Sequence, residues 1–527
     1  MSRSATILRN IASNWAGFAV NAVVTLVLTP YLLHRLGVAR YGIWILTSSI
    51  IGYYGILDVG FRAGVTQYLT RYLAVRDFRR ASECISTAVA ALSALGAVMV
   101  LLSVAAAWLA PDLFGFPTDV RHEAFWCILI VGVTSALQFV FAPFPALFIA
   151  TQRFDLANLI GVATRLMSAT GIVIALRMDG GLIGVSAVTF GVNTIDYLLR
   201  WRVATRLVPE LEVSGRHVEP GRLREIGSFG LWNFLISVNT YVYTYVPNLL
   251  VGAVLPVTAV GHYALATGLS RQVNSVLSPV GAAVYPAATT LHVRGDMSGL
   301  ERLYHDGSRL MMLAMIPTVL GACFWANDFY RLWIGERYVV AGPFESVAVL
   351  FQILLLSVIT CYVSSIAQQI LTGAGHVRQV AQALFLGSLI NFGLSLALVR
   401  PFGLAGVATA TVCASVVVDL IVMPWMLQRI VGLSVAGFLR HSCVRPALAG
   451  ALQALLMAGV RVDGRAGTWL QLLLQGAVAG VGAMAIALSV GVTRAERQRF
   501  VYGPLARLLK RNKRERPKKP VEAASGL

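Results

Sequence analysis

An all-α polytopic membrane protein is the fold class this sequence predicts, and three observations predict it. Of the 527 residues, 57% are hydrophobic and only 13% are charged, half the roughly one quarter that soluble domains carry. The apolar residues form runs long enough for helices that span a bilayer, about 20 residues each. Basic residues gather in alternate gaps between those runs, as the positive-inside rule requires. The same figures exclude a disordered chain, a cytosolic enzyme and a secreted disulfide scaffold. A net charge of +19 would suggest nucleic acid in a soluble protein. In a chain this apolar it reads as loop charge beside anionic lipid, and no nucleic-acid partner is expected.

Taken in order, the spanning segments fall at about 14–34, 41–60, 84–110, 123–150, 157–176, 181–199, 227–253, 258–290, 308–327, 344–371, 379–399, 402–427, 443–460 and 467–491. These make about fourteen transmembrane helices, with Pro279 and Pro286 interrupting the eighth. A closed barrel, the other spanning solution, needs ten-residue alternating stretches that are absent. With the N-terminus cytoplasmic, the cytoplasmic gaps and termini hold 32 of the 43 Lys and Arg residues and the opposite face nine. Arg165 and Arg271 fall inside helices. An even helix count then puts both termini inside. Met1–Asn10 leads into a run of spanning length without a small-residue cleavage site, so it reads as an anchor rather than a cleaved signal. The expected layout is a cytoplasmic N-terminus (1–13), a first lobe of six helices (14–200), a cytoplasmic linker (201–226), a second lobe (227–427), two extra helices (428–491) and a basic cytoplasmic tail (492–527). The six cysteines are scattered, without the spacing of a disulfide framework or zinc site; no metal or cofactor is expected.

The two lobes follow from an internal repeat. Gly171–Thr189 and Gly393–Thr411 align without a gap at an offset of 222 and are identical at eight of 19 positions, across the same helix–turn–helix boundary. An offset that carries helices five and six onto eleven and twelve defines a six-helix unit. An even-numbered unit keeps its orientation, so the lobes should be related by a pseudo-twofold along the membrane normal, with a site between them.

Polar stripes point towards that site. Asn14, Asn21 and Thr25 share a face of the first segment, and Asn233, Ser237, Thr244 and Asn248 share one on the seventh, with Tyr241 beside them. Asn274 and Arg271 share a side of the eighth. Such stripes face either a lumen or a neighbouring helix, because lipid does not accept them. An intramembrane arginine is a functional candidate by default, and the guanidinium fork suits phosphate. Arg271, Arg62 and Arg165 are the candidates for a phosphate group. Asp58 stands four residues before Arg62 and can pair with it, a structural or coupling role. Asp196 and Asp419 lie near helix ends, as partners of nearby arginines; Asp419 comes nearest to an ion-coupling acid. No lysine precedes Lys510, which removes a G-K-[ST] phosphate loop and a Schiff-base lysine from the body of the protein. No catalytic motif is present, and a transporter rather than an enzyme is expected.

Leu28–Gly60, with Pro30, Leu36-Gly37, Tyr41-Gly42, Trp44 and Asp58-Val59-Gly60, resembles the first two helices of Wzx-type polysaccharide-biosynthesis flippases. These belong to the multidrug/oligosaccharidyl-lipid/polysaccharide exporter superfamily. Phe148–Ile160, with Gln152-Arg153-Phe154, resembles the same family's turn between helices four and five, and the likeness extends over about residues 5–430. The resemblance implies two six-helix lobes around a cavity open to one side at a time. It implies a substrate, an undecaprenyl-pyrophosphate-linked oligosaccharide, moved from the cytoplasmic to the periplasmic leaflet for surface polysaccharide such as O-antigen or exopolysaccharide. It also implies an inner-membrane location, and membrane lipids, a polysaccharide polymerase and glycosyltransferases as partners. Lipid II flippases of that superfamily carry cavity arginines in helices two and eight, where Arg62 and Arg271 stand here by position. Its multidrug branch carries a cation-binding acid in the first helix, and this chain has none there. The alternatives are a cation-coupled small-molecule exporter of the same fold, a lipid II flippase, or a membrane-embedded glycosyltransferase, for which the external loops are short.

Overall fold

A computed structural model describes residues 3–282, 284–340, 342–460 and 465–492; the side chains of 3–14, 57–60, 224, 226–237, 279, 280 and 282 fall outside the described set. The basic tail expected from residue 492 therefore lies outside the described residues, its first residue apart. The described chain is helical almost throughout, with no strand. In order, its helices are α1 (Arg3–Gly52), α2 (Ile56–Ala74), α3 (Phe78–Leu113), α4 (Arg121–Phe141), α5 (Pro145–Ala150), α6 (Phe154–Arg177), α7 (Gly181–Leu207), α8 (Pro220–Val254), α9 (Val257–Ala282), α10 (Val284–Val293), α11 (Met297–Phe324), α12 (Ala326–Ile334), α13 (Val347–Gly373), α14 (Val377–Ser415), α15 (Met423–Met426), α16 (Val435–Phe438), α17 (Val444–Val460) and α18 (Trp469–Ile486). Short π-helical stretches join them after α14, the first being Val416–Val422.

Ten of the described helices are long and apolar enough to cross a membrane, against about fourteen expected from hydropathy. Part of the difference lies in two compound rods, 15–55 and 377–431, which hydropathy divides in two. Each contains a glycine off the helical path: Gly37 in α1 (φ 77°) and Gly403 in α14 (φ 54°). The fourth expected segment is instead broken between α4 and α5, where Pro143 and Pro145 remove amide donors. Several helices outrun their apolar windows. α2 continues through Arg62 and Arg71 to Ala74, and α11 starts at Met297 because the Asp296 carboxylate accepts the Gly299 amide at 2.8 Å. Capping, not hydropathy, sets such an end.

The expected repeat is built twice in the same geometry. Gly181 and Gly403, 222 residues apart, both adopt φ +54°, a left-handed backbone that a side chain would strain. A carboxylate closes each turn: Glu123 accepts the Leu182 amide at 3.4 Å, and Glu345 accepts the Ala405 amide at 3.2 Å. Glu123 and Glu345 are also 222 apart, as are the buried Tyr41 and Tyr263. Four further turns repeat in pairs, with Arg76, Gln152, Gly295 and Gly375 all at positive φ.

The halves meet along two seams. Near Val38–Gly42, α1 packs on the start of α9 so closely that a Cβ on Gly42 would collide with the Val257 carbonyl. α2 runs along α8. One apolar core, including Leu36, Ile43, Val251, Val260 and Tyr263, crosses the first seam. Large apolar side chains such as Leu101, Trp108, Leu455 and Val481 stay exposed on the outer surface, an arrangement that suits lipid and not water.

Candidate functional site

Several cavities open between the described helices. One, of about 940 Å³, lies between α1, α2, α4 and α8, towards the upper end of the ~300–1,000 Å³ range of ligand pockets. Its walls combine the rings of Trp44, Tyr54, Tyr241 and Tyr245 with Ser48, Thr66, Gln67, Thr70 and Gln138, and it contains Arg62. Local sequence explains the aromatic wall. Tyr241 and Tyr245 are one turn apart on α8 and stack at 5.7 Å. They seat against Gly52 and Gly55 at the α1–α2 junction, where a Cβ would strike the Tyr245 ring and the Tyr241 hydroxyl respectively. Aromatic faces and amide side chains are the lining that binds carbohydrate: apolar sugar faces stack and hydroxyls find donors and acceptors.

Arg271 lines a second, smaller cavity of about 180 Å³ with Tyr243, Thr244, Tyr263, Asn274 and Ser357. Its side chain is accessible, as that of a residue facing an internal void should be. Tyr362 donates to Asn274 Oδ1 at 2.9 Å, fixing that amide. A third cavity of about 410 Å³ lies between α1, α6 and α7 and holds Arg165, Arg200, Asp196 and Thr25. It adjoins the first, since Trp44 and Thr189 line both.

The three arginines that sequence groups together thus occupy three separate cavities. Tyr241 shares the first with Arg62; Thr244 and Asn274 share the second with Arg271; Thr25 shares the third with Arg165. Asn21 is exposed and lines none of them, its carbonyl accepting from Thr25. Asn248 is buried and donates to Ser49 at 3.1 Å, tying α8 to α1. The side chains of Asn14, Asn233, Ser237 and Asp58 lie outside the described residues. Asp196 does pair with Arg200, at 2.7 Å. Asp419 differs from expectation: among the described residues it meets no arginine and is bonded by the Ser364 hydroxyl at 2.8 Å.

Sequence reasoning missed Thr66, Gln67, Thr70 and Gln138 in the first cavity. The first three stand beyond residue 60, where the apolar window ends but α2 does not; polar residues at i, i+1 and i+4 were the available signal. Two ion-pair groups at the seams were also missed. Arg40 grips Glu123 with both nitrogens, at 2.8 and 2.9 Å. Before the apolar stretch of α8, Arg222 bonds Glu225 (2.8 Å), the Tyr72 hydroxyl (3.1 Å) and Glu83 (3.2 Å), joining α8 to α2 and α3. Bonding to Glu225 raises the already high Arg222 pKa. Partial burial pushes the Glu225 carboxyl up, but the bonds from Arg222 and Tyr72 outweigh it and hold it below the usual range.

The model of a family described as polysaccharide biosynthesis protein matches residues 32–343. The chain belongs to this family. Polysaccharide biosynthesis proteins similar to it include an uncharacterized membrane protein, EpsK, of Bacillus subtilis, 20% identical over 93% of this chain and 96% of the relative. A putative O-antigen transporter of Shigella flexneri is 20% identical over 80% of this chain and 98% of its own length. The probable flippase AglR of Haloferax volcanii is 22% identical over 77% and 80% respectively. Among solved structures, lipid II flippase MurJ in an inward closed conformation matches with a TM-score of 0.66 at 15% identity, covering 89% of this chain and 97% of that one. An inward-facing multidrug resistance MATE transporter matches at 0.64 and 13% identity, covering 79% and 98%. At those identities the likeness is one of fold: this family member shares the helical architecture of that transporter superfamily and is a multi-pass membrane protein.

Proposed function

We propose that the protein is a flippase that carries an undecaprenyl-pyrophosphate-linked oligosaccharide from the cytoplasmic to the periplasmic leaflet of the inner membrane. Its two lobes would rock about the two seams, for surface polysaccharide synthesis. One observation carries the reading: a cavity of about 940 Å³ between α1, α2, α4 and α8, walled by aromatic rings and amides and charged by Arg62. A sugar chain needs such walls, and a pyrophosphate needs such a cation. Arg271, in the adjacent cavity across α8, is the second phosphate contact, and Tyr241, Thr244 and Asn274 border the glycan path. The relatives named as an O-antigen transporter and a flippase support this substrate class. In this reading fourteen helices span the membrane with both termini cytoplasmic, the first twelve forming lobes at 14–200 and 227–427, the last two lying outside the repeat. Outward movement of the anion is favoured by the membrane potential by ~2.3 kcal/mol per charge per 100 mV. The protein is a transporter without catalytic residues, working downstream of glycosyltransferases and upstream of a polymerase.

The test is export of surface polysaccharide from a strain in which this protein is the only flippase for it. Arg62→Ala and Arg271→Ala should each lower export by about tenfold or more, as expected when a charge contact worth ~1.4 kcal/mol or more is removed, at unchanged membrane levels of protein. Normal export in both variants overturns the reading. A second reading, a cation-coupled exporter of the same fold, rests on Asp419, a buried acid without an arginine among the described residues; it expects Asp419→Asn to abolish transport while the two arginine variants remain active.

A further inference from the structure

Arg165 has a charge that no described residue of the first lobe balances. Its Nη2 donates to the Thr25 hydroxyl at 2.9 Å, and its Nε is buried with no hydrogen-bond partner. No carboxylate among the described residues lies within ion-pair distance of it. The acid in the same cavity, Asp196, is held by Arg200 at 2.7 Å and by the Thr164 hydroxyl at 3.0 Å, so that pair sums to zero. One positive charge is left in a cavity of about 410 Å³ inside a membrane-spanning lobe. A lysine could shed its proton there, but a guanidinium cannot. Arg165 is part-buried, and an ionised side chain inside a membrane-spanning lobe is stabilised by a partner of opposite sign. Nε has no accessible surface, so the Nη1–Nη2 end of the guanidinium is the edge left to grip two oxygens of one oxyanion side by side. Thr29, Ser168 and Asn193 line the same space and can complete the shell.

We propose that the cavity between α1, α6 and α7 is an oxyanion site distinct from the aromatic chamber, in which Arg165 receives a carboxylate or phosphate. The anion comes either from free solution or from an acidic substituent of the carried glycan. The second source rests on the flippase reading, because only a chain threaded through the adjoining chamber could place a substituent past Trp44 and Thr189; the first does not.

The experiment measures the thermal unfolding midpoint of the full chain in lipid nanodiscs, titrated with inorganic phosphate and separately with glucuronate. The wild type should gain about 2 °C or more at saturation. Arg165→Gln should lose that gain while unfolding no lower than the wild type without anion, since it removes a part-buried charge that no described acid balances. Arg165→Lys keeps the charge but not the fork, and should need about tenfold more anion. Arg206→Gln, on the exposed end of α7, should keep the gain. A response to both anions, or to phosphate alone, assigns the site to free oxyanion; a response to glucuronate alone assigns it to the acidic substituent. No response to either, or an equal response in Arg165→Gln, overturns the proposal. Export plays no part in the measurement, so the site can stand where the Arg62 and Arg271 variants refute the flippase.

Discussion

Each lobe carries an aspartate near the end of its sixth helix, and the two are satisfied in different ways. Asp196 lies on regular α7 and is paired with Arg200, one turn on. Asp419 lies 223 residues later, one more than the offset of the repeat, within the π-helical stretch Val416–Val422. A π-turn accommodates one extra residue in a helix and is frequent at functional positions, so the register slips by one just there. The slip turns the carboxylate to the Ser364 hydroxyl of α13. The outer end of the lobes differs as well: where the first has Arg40 gripping Glu123, the equivalent position of the second is His262, set between the rings of Tyr338 and Phe344. The duplicated frame kept its turns and capping acids and changed its charges. The first lobe holds balanced pairs such as Arg40–Glu123 and Arg200–Asp196 together with an intramembrane Arg165 that meets no acid among the described residues, whereas the second carries a buried acid held by the Ser364 hydroxyl.

Substitutions at equivalent positions can break or sharpen that contrast. The largest effect is expected at the seam between lobes. Gly42 has no room for a Cβ, while its equivalent in the second lobe is already Ala264. Gly42→Ala should cost ~3 kcal/mol by overpacking, read as lost yield of folded protein in detergent. Ala264→Gly should cost only ~1 kcal/mol, and equal losses would dissolve the asymmetry. Next, Arg40→Ala strands a half-buried carboxylate and should cost ~2 kcal/mol, whereas His262→Ala removes ring packing worth ~1 kcal/mol; thermal unfolding in nanodiscs compares them. Asp196→Asn leaves Arg200 without its acid and should cost ~1 kcal/mol, more than Asp419→Asn, whose amide oxygen can still accept from Ser364. The reverse order would mean that Asp419 bears charge in the resting fold.

The smallest effect is a pH dependence at the seam between α2 and α8. Glu225 titrates below its ordinary value of 4.5, because the bonds from Arg222 and Tyr72 outweigh its partial burial. A depressed carboxyl contributes stability that is complete above the ordinary value and is lost as pH falls through the lowered one. The unfolding midpoint of Glu225→Gln should therefore lie below that of the wild type at pH 6 and converge with it as pH drops below about 4. With the carboxylate partly in water, the difference should stay under ~1 kcal/mol.

Much of the frame was legible in the chain because its signals are local. Gly181 and Gly403 announced the repeated turn, and proline marked the break after α4. Arg200, four residues from Asp196, was foreseeable as its partner. The candidate site was legible only in part. Arg165 and Arg271 were found as intramembrane cations and Arg62 as a cation at a helix end, but their separation into three cavities was not. Nor could Gly52 and Gly55 reveal that they seat Tyr245 and Tyr241, since the fit exists only once α8 lies against the α1–α2 junction. Gln67 and Thr70 escaped because hydropathy ended the helix before them.

Hydropathy, basic-residue placement and the 222-residue echo determined a two-lobed helical membrane protein unaided. In lipid every backbone donor must be satisfied within its own helix, so each span answers to its own composition. Beyond local pairs such as Asp196–Arg200, tertiary packing decided which charges are balanced. Arg40 finds Glu123 across 83 residues, and Arg165 meets no acid among the described residues. A charge in a low-dielectric interior is governed by its neighbours in space, and helix packing selects those neighbours independently of distance along the chain.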